Sequence, residues 1–153
     1  MTLDNKPIYT GGCQCGAVRF RIEGALGRAS ICHCRMCQKA FGSFYAPLVS
    51  VAPETLRWTK REPDRFQSSD RVQRGFCSRC GTPLTYEAPD GPALSIGAFD
   101  DPSTIRPDIQ FGCEAKLPYV DALAQLPVRQ TQDDEADNPY LASLRSFQHP
   151  DHD

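Results

Sequence analysis

"CQCGAVRFRIE", residues 13 to 23, carries two signals in succession. Cys13 and Cys15, one residue apart and followed by Gly16, have the form of half a metal knuckle. Directly after them Val18, Phe20 and Ile22 alternate with Arg19, Arg21 and Glu23, the period of an antiparallel strand with one face buried and the other in solvent. What holds the cysteines therefore decides what anchors the sheet.

A second half-knuckle lies at "CSRCG", residues 77 to 81, so that each pair ends in a cysteine followed by glycine, Gly16 or Gly81. In a zinc knuckle the chain turns tightly after the second ligand and backbone N–H groups approach its sulfur, which a Cβ at the next position would hinder. Cys13, Cys15, Cys77 and Cys80 then form one closed tetrahedral Zn²⁺ site whose role is folding, tying residue 13 to residue 80. The competing reading, two buried or disulfide-bonded pairs, needs an oxidising compartment.

The other cluster is "CHCRMC", residues 32 to 37. Cys32 and Cys34 are too close for an unstrained disulfide. Two extended residues with side chains on the same side, Cys32 and Cys34, run into a turn that returns Cys37, so three thiolates converge. His33 points the other way and reads as a packed or surface side chain. Three protein ligands with an open fourth position is the pattern of a catalytic zinc, and the alternative is a structural site completed by a distant residue, for which Cys113 is the candidate.

The rest of the composition limits the possibilities. At 153 residues, with 40% hydrophobic and 24% charged, the chain fits one globular domain and neither a disordered nor a membrane protein. No apolar run reaches the length of a transmembrane helix. The amino terminus, MTLDNKPIYTGG, lacks the apolar core of a signal peptide, so a cytoplasmic location and reduced thiols are expected. A net charge of −2 provides no basic surplus for a phosphate backbone, and neither nucleic acid nor membrane is an expected partner.

Further strands are expected at 29–32, 44–51, 55–59 and 72–77, and a hairpin at 83–88 and 93–99 around the turn formers PDGP. Only 36–41 reads as a helical turn in the first hundred residues, and 13 prolines and 11 glycines divide the chain too often for long helices. A mainly β body over 1–126 is expected, then a polar, acidic linker at 129–137. Residues 137–147 offer an Asx cap, Pro139 at a helix start, and Tyr140, Leu141, Leu144 and Phe147 at helical spacing, hence a short terminal helix or a frayed tail.

Taken together, Cys13-x-Cys15-Gly16, Cys32-His33-Cys34-x-x-Cys37 and Cys77-x-x-Cys80-Gly81-Thr82 resemble the glutathione-dependent formaldehyde-activating family, which also contains centromere protein V. Gly42-Ser43, the segment 97–102 and the segment 114–119 add to the resemblance, which covers about residues 9 to 123. It implies a β-tent fold of short antiparallel sheets with two zinc ions, Cys13, Cys15, Cys77 and Cys80 taking the structural site and Cys32, Cys34 and Cys37 the catalytic one. Two positions depart from the family pattern: Gln110 stands where a histidine is frequent and Tyr119 where a tryptophan is. Cys113 is outside the pattern.

The chemistry so implied is addition of a glutathione thiol to formaldehyde, a carbon–sulfur lyase reaction in reverse, with a small thiol and an aldehyde as partners. Arg35, Lys39, Arg74 and Lys116 are candidates to pair with carboxylates of the thiol. Two other classes remain open at this point. One is a binding module with two purely structural zinc ions, nearer the centromere protein. The other is a redox enzyme resembling methionine sulfoxide reductases, with Cys113 as its thiol.

Overall fold

The structure is a computed structural model and describes residues 5–153. The first four residues of the amino-terminal stretch discussed above lie outside the described part. In chain order the elements are β1 (Ile8–Gly12), β2 (Arg19–Glu23), β3 (Ala29–Cys32), α1 (Arg35–Phe41), β4 (Ala46–Ser50), β5 (Leu56–Trp58), β6 (Asp64–Gln67), β7 (Gln73–Phe76), β8 (Pro83–Ala88), β9 (Gly91–Ser95), β10 (Ile109–Phe111) and α2 (Thr131–Asp137). Short 3-10 turns fill several connections. The mainly β expectation holds, with two sheets and few helices.

The smaller sheet has the order β1-β2-β5 and is antiparallel throughout. The larger has the order β10-β3-β4-β9-β8-β7-β6, antiparallel except where β10 runs parallel to β3. The alternation of β2 does what its period requires. Val18, Phe20 and Ile22 are wholly buried, and Phe20 meets the rings of Phe99 and Trp58 edge-on at 5.1 and 6.1 Å.

The opposite face of β2 differs from expectation at one residue. Arg19 is buried rather than solvated, because Asp100 takes its Nη1 and Nη2 at 2.8 and 2.7 Å and Asp153 accepts from Nη2 at 2.6 Å. Both partners are distant in sequence, so no local pattern announces them. Burial makes the pairing count: charged donors and acceptors withdrawn from water bond more strongly than exposed ones.

The hairpin expected at PDGP forms with Ala88 opposite Gly91, leaving Pro89 and Asp90 as the turn. Three strands went unrecognised in sequence, β1, β6 and β10, each an edge of its sheet. In β6 and β10 half or more of the residues are exposed, so neither carries a clean hydrophobic period.

After Leu126 the outcome is mixed. The short carboxy-terminal helix exists, but it is α2, inside the stretch read as a linker. Gln130 and Asp133 cap it reciprocally, and Arg129 bonds Asp134 at 2.6 Å and Asp137 at 3.0 Å, so the acidic run is organised by local charge pairs instead of apolar periodicity. Asn138 both closes that helix and precedes a 3-10 turn at Pro139–Ser143, so Pro139 stands at a start as expected, but the Asn138 side chain makes no capping bond and no α-helix follows. Tyr140, Leu144 and Phe147 are exposed, so this segment does not dock through an apolar face. The final residues return through polar contacts: the His149 N–H donates to the Gln14 carbonyl at 2.7 Å, and Asp153 reaches Arg19. No helix among the described residues is long and apolar enough to cross a membrane.

Candidate metal centres

The two cysteine pairs that open and close the β body meet. The sulfurs of Cys13, Cys15, Cys77 and Cys80 all lie within 4.8 Å of one another, with Cys13–Cys15 at 3.6 Å and Cys15–Cys77 at 3.8 Å. A tetrahedron of sulfurs ~2.3 Å from a zinc ion has edges of ~3.8 Å, whereas a disulfide would bring two sulfurs to ~2.05 Å. All eight cysteines are free thiols, so the spacing is that of a metal cage and the disulfide alternative falls.

Each pair is a turn built the same way. The Gly16 N–H returns to the Cys13 carbonyl at 3.0 Å and the Gly81 N–H to the Cys77 carbonyl at 2.7 Å, with φ of +75° and +81° at the two glycines. Glycine is needed here for its backbone conformation. At Gly81 a Cβ would have open space around it, so crowding at the sulfur is not the reason; at Gly16 a Cβ would also strike the His149 ring.

Hydrogen bonds bias the cage toward thiolates. The Val18 N–H donates to the Cys13 sulfur at 3.2 Å, and the Thr82 hydroxyl lies 3.3 Å from the Cys80 sulfur. Burial pushes the Cys13 thiol up to about 12. Burial acts in the same sense on Cys80, but the Thr82 hydroxyl and amide and contacts from Cys15 outweigh it and bring the group down to about 6. Four sulfur donors, inward-facing and without a gap for another ligand type, suit a soft divalent ion held for structure.

The second cluster forms where β3 runs into α1. Cys32 ends the strand, Cys34 is the N-cap of the helix, and Cys37 sits in its first turn, its N–H donating to the Cys34 sulfur at 3.4 Å. The three sulfurs lie within 4.8 Å of one another, and no histidine, aspartate, glutamate or fourth cysteine among the described residues joins them. Burial pushes Cys32 up to about 12 and raises Cys37 against the pull of Arg74. Burial also opposes the Cys34 thiolate, yet the Cys37 N–H, the neighbouring thiols and the Arg74 charge lower it overall.

His33 points away from the sulfurs, as the extended segment demands. It is fully buried, with Nε2 2.8 Å from the Gln110 Oε1 and its ring edge-on to Tyr45 at 5.6 Å. Gln38 carries no signal in the sequence that would single it out. Its buried amide donates to the His33 carbonyl at 2.7 Å and the Ala115 carbonyl at 2.9 Å, fastening the cysteine segment to the turn at 113–115.

A cleft of about 390 Å³ opens onto Cys32, Cys34 and Cys37, walled by Leu48, Val51 and Ala93, with Met36 and Phe111 at the rim. Of the four basic candidates only Arg74 lines it. Arg35 bonds Gln38 at 3.2 Å and, with Lys39, borders a separate cavity on the outer side of α1. Lys116 is held by Asp121 at 2.6 Å. The two departures from the family pattern are also elsewhere: Gln110 faces His33, and Tyr119 packs edge-on to Phe44 at 5.6 Å. Neither lines the cleft. Cys113 is exposed, outside the three-sulfur group, and borders a different groove with Gln110. It does not complete the second site.

The comparisons with known proteins agree with this arrangement. Residues 8–115 match the family described as glutathione-dependent formaldehyde-activating enzyme. An uncharacterised lyase of Schizosaccharomyces pombe is 28% identical over 92 residues, 56% of this chain and 61% of its own. A Halomonas elongata protein, provisionally named a glutathione-dependent formaldehyde-activating enzyme, is 33% identical over 95 residues, 57% of this chain and 60% of its own. The chain thus spans less than two thirds of the length of these curated relatives. A crystal structure of a Rhodobacter sphaeroides protein superposes with a TM-score of 0.52 at 18% identity, over 67% of this chain and 98% of that one, a likeness of fold. Since the matched span of 8–115 holds both cysteine clusters and every strand of both sheets, the chain belongs to the glutathione-dependent formaldehyde-activating enzyme family.

Proposed function

We propose that the chain catalyses the reversible addition of a low-molecular-weight thiol to a small aldehyde, forming S-hydroxymethylglutathione from glutathione and formaldehyde or a closely related adduct. In this reading Cys13, Cys15, Cys77 and Cys80 hold a structural zinc ion, and Cys32, Cys34 and Cys37 hold a second one with an open position. The observation that carries the reading is the contrast between the clusters: four sulfurs with a complete ligand set in one, three sulfurs at the floor of a cleft in the other.

A zinc ion at the second centre would favour the thiolate form of a thiol brought beside it, since a coordinated thiol is deprotonated outright while a free one has a pKa of ~8.5. The residues of the chain set the conditions for this. All three cysteines line the cleft, with Cys37 buried and Cys32 and Cys34 half-buried, so a ligand in the cavity has access to the group. The apolar walls of Leu48, Val51 and Ala93 keep the electrostatics of the site strong. The bond changes are simple. The thiolate sulfur adds to the carbonyl carbon, the π pair moves to oxygen, and that oxygen takes a proton; the thiol proton has already gone to solvent. No electron donor or acceptor is required.

The test is exchange NMR with ¹³C-formaldehyde and glutathione, which reads the rate of adduct formation directly. Wild type should raise that rate well above the uncatalysed one and Cys34→Ser should not. No acceleration by wild type, or full acceleration by Cys34→Ser, would reject the proposal.

A further inference from the structure

Three thiolates around a divalent cation leave the second centre with a charge of −1, and an incoming thiolate would make it −2. In a partly apolar cleft that second negative charge is costly. We propose that Arg74 removes this obstacle: it is the fixed cation that allows the three-cysteine centre to accept an anionic sulfur, and so a positioning residue for the incoming thiol. The inference rests on the thiol–aldehyde reading above.

Arg74 is 7% exposed. Its Nη2 lies 3.4 Å from the Cys37 sulfur, its Nε donates to the Ser68 hydroxyl at 2.9 Å, and its guanidinium lies over the Tyr86 ring, 5.0 Å from the centroid. Nη1 has no partner among the described residues, and no aspartate or glutamate among them forms an ion pair with this side chain. Among the described residues the cysteine cluster, once metal-bound, is therefore the only anionic group that Arg74 touches.

Arg19 shows what a buried arginine looks like when its charge serves the fold. It is equally buried, but bonded to the carboxylates of Asp100 and Asp153. A buried cation without a carboxylate is expensive, and such groups are retained where an anion completes them. Here the metal-binding sulfurs do so, and one cation is not exhausted by them when a further sulfur arrives. The remaining charges on the cleft are Arg28, paired with Asp108 at 3.3 Å, and Asp90 in the hairpin turn. Neither contacts the sulfurs, so the task falls to Arg74.

The fixed charge also carries a sign. A cation beside the thiolates repels the metal slightly while attracting a further anion, so removing it should leave zinc at least as firmly held and weaken thiol binding. A prop that merely supports the cluster would act the other way. Arg74→Met and Arg74→Lys are compared with wild type by zinc content, melting temperature and calorimetric affinity for two probes, glutathione and 2-mercaptoethanol. Arg74→Met should keep two zinc ions and bind both thiols about tenfold more weakly or worse, and Arg74→Lys should recover most of the loss. Unchanged thiol affinity in Arg74→Met would overturn the inference, as would loss of the second zinc. A loss confined to glutathione, sparing 2-mercaptoethanol, would make Arg74 a carboxylate receptor and overturn it as well. If two-zinc wild type binds neither thiol, the thiol–aldehyde reading itself falls, an outcome distinct from the others.

Discussion

The duties proposed for individual cysteines in this chain differ, and substitution separates them. Cys80 belongs to the cage that joins β1 and β2 to the β7–β8 turn, so Cys80→Ser should unfold the body, seen as loss of the cooperative thermal transition. Cys34→Ser should leave that transition within a few degrees of wild type while losing the second metal. If both variants melt equally early, the second cluster is structural. Protons provide a second handle. Burial holds the Cys32 thiol up to about 12, so at neutral pH it still carries the proton that a metal must displace. Metal binding therefore releases protons, and affinity falls as pH falls. A chelator competition between about pH 8 and about pH 6 should show zinc affinity at the second centre dropping about tenfold per unit for each proton released. A flat profile would contradict the protonation state assigned to Cys32. The cysteines were legible in sequence because ligand spacing is local. The burial of Arg19 was not, and Arg74 stood out only as one of four basic candidates, since what distinguishes each is a partner dozens of residues away: Asp100 and Asp153 for the first, Cys37 for the second.

Among the elements, the two knuckle turns share backbone geometry and differ in surroundings, which gives paired substitutions different outcomes. Gly81→Ala places a Cβ in open space, so its cost is the left-handed backbone only, about 1 kcal/mol. Gly16→Ala carries the same backbone cost and also collides with the His149 ring, so it should be the more destabilising by denaturant titration. Equal effects would mean that the tail does not rest on this turn. The strand β2 was readable because one of its faces is a pure apolar period and the core takes all of it. The edge strands β1, β6 and β10 were not, and neither was α2, whose stability comes from caps and charge pairs that a hydrophobic pattern does not register. The helix α1 was readable at MCQKAF, residues 36–41, and the structure adds Cys34 as its cap.

Over the whole molecule the family match ends at residue 115, yet the chain beyond it returns to the closed centre. His149 bonds Gln14 between the two cysteines of the first pair, and Asp153 caps the Arg19–Asp100 pair on β2. Asp153→Asn removes one charge from a half-exposed bond to a buried guanidinium, and should lower stability by about 1 kcal/mol in denaturant titration. No change in the midpoint would mean that the tail is unattached in solution. The fold thus brings four cysteines together beside the returning tail, and three others at a cleft. The claim most worth testing is that these two centres differ in kind. Native mass spectrometry of protein purified without chelator counts zinc per chain before and after glutathione is added. Two zinc ions, with a glutathione adduct or the loss of one ion on addition in wild type and neither in Cys34→Ser, is the predicted result. Two zinc ions that ignore glutathione, or a single ion per chain, would contradict the account.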